Sequence, residues 1–433
     1  MNQVVNKNIP QLDRGGGSSS LQGLELVERR LQEKQKEISQ WFEDQWQKTP
    51  PPLYGSVDLR NAGFKLAPVD MNLFPAGFNN LNPDFLGEVV LAAQAAILAQ
   101  VPMAKHIGLI PESHTRNLPY WDNVAALIHI LSEAGFEVSL GSLSEELQKT
   151  GELILSEGKR LIFQPLIREG QVLHFGNQIP DLILLNNDLS SGVPAILEKL
   201  QQPLFPPAAL GWHQRLKSEH FQYYAALCQE FAELLQLDAW LITPLFRYCG
   251  EIDFLNREGM DCLIEHTRAL LADIQEKYQA YGVTQQPFAM IKAVAGTQGM
   301  AVMTVRSIEE LAHLNRKQRS SMAKAKGGMP VRRVILQEGI YTIETLGEEA
   351  HVAEPVIYLW GKRVAGGFYR LHQKRGRDEN LNTPGMLFES LPFAWSCSAW
   401  PQEDKLHPYQ KHLATYGVIA QLSMLAAARE IAG

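Results

Sequence analysis

The chain has 433 residues, 45% of them hydrophobic and 20% charged, which excludes a disordered chain and allows two or three domains around sizeable cores. A net charge of −7 excludes bulk attraction to nucleic acid or to an anionic membrane surface. Cys228, Cys249, Cys262 and Cys397 are widely spaced, with no C-x-x-C pair. That argues against a disulfide scaffold or a structural zinc site, and fits a reducing, cytoplasmic setting.

Residues 1–20 lack the apolar core of a secretory signal, and their Gly/Ser run reads as a flexible tail. Within 21–50, Leu24, Val27, Leu31, Ile38 and Trp41 recur among charges as an amphipathic helix, stopped by the prolines at 50–52. Such a helix either docks on the body or pairs with a second chain, so a homo-oligomer stays open. The apolar stretch 87–102 carries Glu88, Gln94 and Gln100 and is shorter than the run of about 20 residues that crosses a bilayer, so it predicts a buried helix and no membrane partner.

Residues 51–202 read as an α/β domain. KHIGLIPE (105–112) is a strand, 117–135 a helix with Pro119 near its start and glycine at its end, and FEVSL (136–140) the next strand, which predicts a parallel βαβ unit. PDLILL (180–185) is a further strand. Ligands collect at the carboxyl ends of parallel strands, and two polar loops lie at such ends: ESHTRN (112–117) and NNDLSSG (186–192). Residues 203–286 read as a helical connector. From 287 the chain turns to strands (288–294, 301–305, 334–341, 356–360 and 363–371), the last two joined by Gly361-Lys362 as a hairpin, and it closes on a helix over 418–431.

The richest segment for chemistry is MIKAVAGTQGMAVMTV (290–305). Lys292 shares a strand face with apolar neighbours, so its ammonium needs an anionic partner. Gly296-Thr297-Gln298-Gly299, with Met300 after it, is a loop whose backbone N–H groups a ligand can approach closely. Lysine and glycine loop together suit phosphate; a structural hairpin with a snorkelling lysine is the other reading. Gln337-Glu338-Gly339-Ile340 interrupts an apolar strand and suits either a flat heterocycle or an edge strand with polar positions. Arg370 ends a strand, and residues 378–385 after it place carboxylate and amide oxygens beside arginines, which suits a magnesium ion bridging phosphates or else a charged surface loop. Between these, 316–333 holds seven Lys/Arg and no acid. Lacking an aromatic residue to stack a base, it reads as a cationic flap over polyphosphate or as a solvated loop.

The order Lys292, glycine loop, 337–340, Arg370 and Asn380-Leu381-Asn382-Thr383-Pro384-Gly385 is similar to that of ATP-grasp carboxylate–amine ligases. From about Leu53 onwards, SVDLRNAGFKLAPVDMNLFPAGFNNLNP (56–83), LIPESHTRNLPYWDNV (109–124), IKAVAGTQGMAVMTV (291–305) and ENLNTPGMLFESLPF (379–393) resemble the smaller bacterial family of glutamate–cysteine ligases. Two features depart from the ATP-grasp pattern: only Arg247 or Lys277 stands near where a first lysine is usual, and no Glu-x-Asn follows Gly385.

The resemblance implies an α/β (α+β) chain with an N-terminal parallel α/β substrate domain, a helical connector and, over 287–433, an ATP-grasp-like antiparallel sheet with helices. It implies that ATP and Mg2+ serve the joining of the L-glutamate γ-carboxylate to L-cysteine through an acyl phosphate, the first step of glutathione synthesis. Lys292 and Arg370 would be catalytic, with 296–300 and 337–340 binding ATP. Arg60 and Arg116 would take α-carboxylates, Asp70, Glu112 and Asn187 the ammonium groups, and Asn72, Ser113 and Thr115 would orient the substrates. Glu379, Asn380, Asn382 and Glu354 would hold the metal. A ligase with another acceptor, such as glutathione synthetase, and a non-catalytic nucleotide- or RNA-binding regulator are the alternatives.

Overall fold

The computed structural model describes residues 11–12, 22–113, 117–155, 158–295, 300–325, 328–392 and 408–433. The predicted βαβ unit is present: His106–Pro111 and Glu137–Gly141 pair in parallel on either side of the helix Leu118–Glu133, which starts with Pro in its first turn. Leu182–Asn186 pairs with the other edge of His106–Pro111, so the chain leaves that strand towards opposite sides of the sheet. This is the topological switch at which α/β sheets open a crevice. Every residue of both strands is buried, as a sheet covered on both faces demands.

The second sheet crosses the expected domain boundary. The hairpin His351–Trp360 and Arg363–His372, turned by Gly361 at positive φ, is flanked by Met386–Ser390 on one side and on the other by Tyr54–Asn61, which pairs in turn with Leu66–Asn72. Residues 54–72, read from sequence as part of the N-terminal domain, thus belong to a sheet made mostly of C-terminal strands. Strand alternation explains its two faces. Val57, Leu59, Met71, Ile357, Leu359 and Leu371 are buried on the side packed by the closing helix Pro408–Ala432. Asp58, Arg60, Asp70, Glu354 and Arg370 occupy the other.

A third, four-stranded antiparallel sheet runs in the order Phe246–Cys249, Val334–Glu338, Ala289–Ala293 and Val302–Val305. Its first strand lies inside the expected helical connector, where the helices Lys217–Leu235 and Met260–Ala280 stand as predicted. The amphipathic N-terminal segment forms two helices, Gln22–Glu33 and Gln35–Lys48, whose Leu24, Val27, Leu31, Ile38, Phe42 and Trp46 enter the same core. It docks on the body. Among the described residues no helix is long and apolar enough to cross a membrane.

Candidate active site

The charged face of the large sheet and the Lys292 face of the four-stranded sheet meet at a cavity lined by Asp58, Arg60, Asp70, Lys217, Lys292 and Arg370, among others. A second cavity opens towards the parallel sheet, where Asn72, Glu112, Tyr120, Asn186, Asp188 and Trp212 line it. Asp58, Asp70, Arg370 and Asn382 belong to both. The two predicted polar loops also come together, since the Asp188 N–H donates to Glu112 Oε1 at 3.0 Å.

Sheet register builds the charge array. Glu354 pairs with Arg370 across the hairpin, and Asp58 lies opposite both Val356 and Asp70. Arg370 Nη1 donates to Asp58 Oδ2 at 2.8 Å and to Glu354 Oε1 at 2.7 Å, while Arg60 Nε donates to Glu354 Oε2 at 2.8 Å. The result is a row of alternating charges, Asp58, Arg370, Glu354, Arg60. Burial pushes the Asp58 carboxyl up despite the Arg370 guanidinium beside it. Glu354 behaves oppositely: burial opposes its charge, but Arg60 and Arg370 hold it below the ordinary range.

Lys292 Nζ donates to the Val69 carbonyl at 2.8 Å and to Gln337 Oε1 at 2.6 Å. Desolvation pulls its pKa down to about 8; Asp70 resists that shift and Lys217 adds to it. Lys217, which opens its helix, donates to Asp70 and stands 4.5 Å from the centre of the Trp212 ring. Its N–H donates to the Val294 carbonyl at 3.0 Å, tying that helix start to the end of the Lys292 strand.

The remaining sequence-selected residues divide. Met300, Glu338 and Ile340 line the first cavity with Lys292, whereas Gly296, Thr297, Gln298 and Gly299 lie outside the described residues. Alternation separates Gln337 from Glu338. Gln337 receives Lys292, but the Glu338 carboxylate turns to the far face, where it takes Lys65 Nζ at 2.6 Å, Trp240 Nε1 and the Leu245 N–H. Asn72 and Glu112 line the second cavity, Ser113 is exposed, and Thr115 and Arg116 lie outside the described residues. Asn187 spends its amide on the Pro111 carbonyl and the Leu189 N–H, and its neighbours Asn186 and Asp188 face the cavity instead.

Three expected roles meet groups already engaged. Arg60 donates to Glu354 and to the carbonyls of Ile340, Arg377 and Glu379, which leaves no free fork for a carboxylate. Both oxygens of Glu354 accept from arginines, so a cation would have to displace them. The Glu379 carboxylate is held by Arg375 and the Gly376 N–H within its own turn. Asn380 and Asn382 do reach the cavity. Arg247 and Lys277 pair with Asp273 and Asp238, and no described residue of 316–333 lines either cavity. Sequence reading missed Asp58, Lys217 and Trp212. Asp58 was within reach, because it stands two residues before Arg60 on one strand and so shares its face. Nothing local marks Lys217.

Comparison with known proteins decides the family of the chain. Residues 28–431 match the family model described as GshA, glutamate-cysteine ligase. The chain belongs to the glutamate–cysteine ligase family. A crystal structure from Methylobacillus flagellatus KT, whose name assigns it as a gamma-glutamylcysteine synthetase, is 46% identical with a TM-score of 0.87 and covers 99% of each chain. Two further structures align much more loosely. D-alanyl-alanine synthetase A from Vibrio cholerae O1 biovar eltor str. N16961 is 10% identical over 54% of this chain and 59% of its own, with a TM-score of 0.25. A glutathione synthetase-like effector from Globodera pallida is 9% identical over 86% of each chain, with a TM-score of 0.39. Likeness at that level carries no argument. No curated protein matches. The chain is thus a glutamate–cysteine ligase of α/β class, an enzyme that joins two small amino acids at the expense of ATP.

Proposed function

We propose that the joined cavities divide the reaction, with ATP phosphates on the Lys292 side and the amino acids on the Glu112 side. The observation that supports this reading is the set that lines both cavities, Asp58, Asp70, Arg370 and Asn382; in this reading the transferred phosphoryl group and the carboxylate meet beside them. A carboxylate is a poor electrophile because its leaving group would be oxide. Phosphorylation gives an acyl phosphate, and the cysteine amine then displaces phosphate. Such transfer depends on positioning and on neutralising the charge that develops.

The residues present suit a polyanion. Buried donors on Gln337 Nε2 and Arg370 Nε have no acceptor among the described residues, and anionic oxygens would satisfy them. In this reading Lys292 binds phosphate oxygens, Arg370 meets the transferring phosphoryl group, and the edge at Glu338 and Ile340 faces the base. The donor set for a divalent ion shifts from the sequence expectation to Asp58 and Asp70 with the amide oxygens of Asn380 and Asn382, hard oxygen ligands of the kind magnesium takes. When bound, Mg2+ would neutralise phosphate charge. Asn72, Glu112 and Asp188 would orient the amino acids, with the ammonium groups drawn to the carboxylates.

An ADP-release assay across pairs of amino acids tests this function. Glutamate plus cysteine should be the preferred pair, with turnover dependent on magnesium. Preference for glutamylcysteine plus glycine would move the acceptor assignment, and ADP release unchanged in Lys292→Ala would remove the proposed phosphate site.

A further inference from the structure

Outside the site just described, the fold brings together three residues that sequence spacing kept apart. Cys249 ends the edge strand Phe246–Cys249, while Cys262 and His266 lie one turn apart on the helix Met260–Ala280 and so share a face. The two sulfurs are 3.1 Å apart, and the ligand atoms of all three side chains lie within 4.8 Å of one another. No other group of three His, Cys, Asp or Glu side chains is this close among the described residues.

We propose that Cys249, Cys262 and His266 bind a thiophilic divalent cation, zinc by preference, which clamps the edge of the Lys292-bearing sheet to the helix behind it. Tetrahedral zinc with bonds of about 2.3 Å to sulfur and about 2.0 Å to nitrogen sets its ligand atoms about 3.5–3.8 Å apart, so small side-chain shifts suffice. Two thiolates and an imidazole select zinc over magnesium or calcium. His266 Nδ1 lies 3.0 Å from the Tyr248 carbonyl. A carbonyl only accepts, so Nδ1 carries the proton and Nε2 keeps its lone pair, the carbonyl-fixed imidazole found behind many metal ligands. Cys262 stands in the first turn of a 21-residue helix, one turn before His266. Binding releases the thiol protons to solvent, with no change of oxidation state. Exposure of Cys262 leaves the fourth position to water. The clamp acts close to the site, since Phe246 on the same strand pairs with Gln337, the partner of Lys292. The absence of a C-x-x-C pair, which argues against zinc from sequence alone, does not bear on a site assembled from a strand and a helix.

Untagged, metal-free, reduced protein titrated with Zn2+ against a chromophoric chelator tests the site. One zinc per chain is expected, with affinity lowered at least 100-fold in Cys262→Ser and about 10- to 100-fold in His266→Ala, and with Co2+ giving a thiolate charge-transfer band that Cys262→Ser weakens. Both positions are solvent-accessible enough for the variants to fold, which circular dichroism checks. Failure to bind zinc stoichiometrically would overturn the proposal, as would wild-type affinity in His266→Ala. So would loss of two titratable thiols to a disulfide on mild oxidation in a protein that binds no zinc. None of these readouts depends on the assignment of the ligase site.

Discussion

Arg370 and Glu354 face each other across one hairpin, joined at 2.7 Å, and neither is solvent-exposed. Arg370 also holds Asp58, from a strand more than 300 positions away in sequence, at 2.8 Å. Replacing Arg370 by Met leaves two carboxylates short of a partner and removes the cation nearest the proposed transfer point. Turnover should fall on the order of 10²–10³. Arg370→Lys should recover little, because one ammonium does not reproduce a planar fork. Thermal denaturation run beside the ADP-release assay separates the two roles. A folded Arg370→Met with near-normal turnover would make the arginine a strut only.

Lys292 sets a pH dependence. Its pKa is drawn down to about 8 in the free protein, chiefly by desolvation, and an anion binds best when it is protonated. Below that pH the ammonium is in place. Above it, binding must first restore the proton, so the Kd for ATP should rise by up to about tenfold per pH unit from this group. Lys292→Met should bind more weakly and lose that slope. Equilibrium nucleotide titrations from about pH 7 to about pH 9 give the answer, free of the ionisation of the cysteine amine.

Lys65 and Glu338 form a fully buried pair at 2.6 Å beneath the four-stranded sheet, with the Lys65 ammonium 4.3 Å from the centre of the Trp240 ring. Lys65→Met leaves Glu338 without its cation and should cost about 3–5 kcal/mol. Adding Glu338→Gln should recover part of that loss, since the stranded charge is then gone. Urea denaturation of both variants checks the order.

Glu430 ties the closing helix to the segment before Lys217: Arg215 Nε and Nη2 donate to its two oxygens at 2.7 and 3.0 Å. Burial works against its charge, but Arg215 and His220 bring the carboxyl from 4.5 to about 2. A depressed acid stabilises the fold above its unfolded pKa and loses that contribution as pH falls through its folded one. This amounts to about 3 kcal/mol, present above about pH 4.5 and gone below about pH 2. Glu430→Gln should be less stable at neutral pH, with a shallower loss towards acid. Denaturant midpoints at about pH 7 and about pH 3 test both statements.

Much of this molecule is legible before any coordinates. Alternation and turn residues mark the His106–Pro111 and Glu137–Gly141 strands, the hairpin at Gly361, and Lys292 as a cation on an otherwise apolar face, because each depends on neighbours a few residues apart. The carboxyl ends of parallel strands likewise point to Glu112 and the loop after Asn186. Strand period also tells which side chains travel together, but not which distant strand they will meet. Pairing register between 54–72 and 351–372 is a long-range property of the packed core, and it alone decides that Asp58 meets Arg370 and that Arg60 is spent on Glu354; the packing of the four-stranded sheet likewise decides that Glu338 meets Lys65. The same holds for Cys249, Cys262 and His266, whose approach is set by packing a helix on a sheet edge rather than by spacing along the chain.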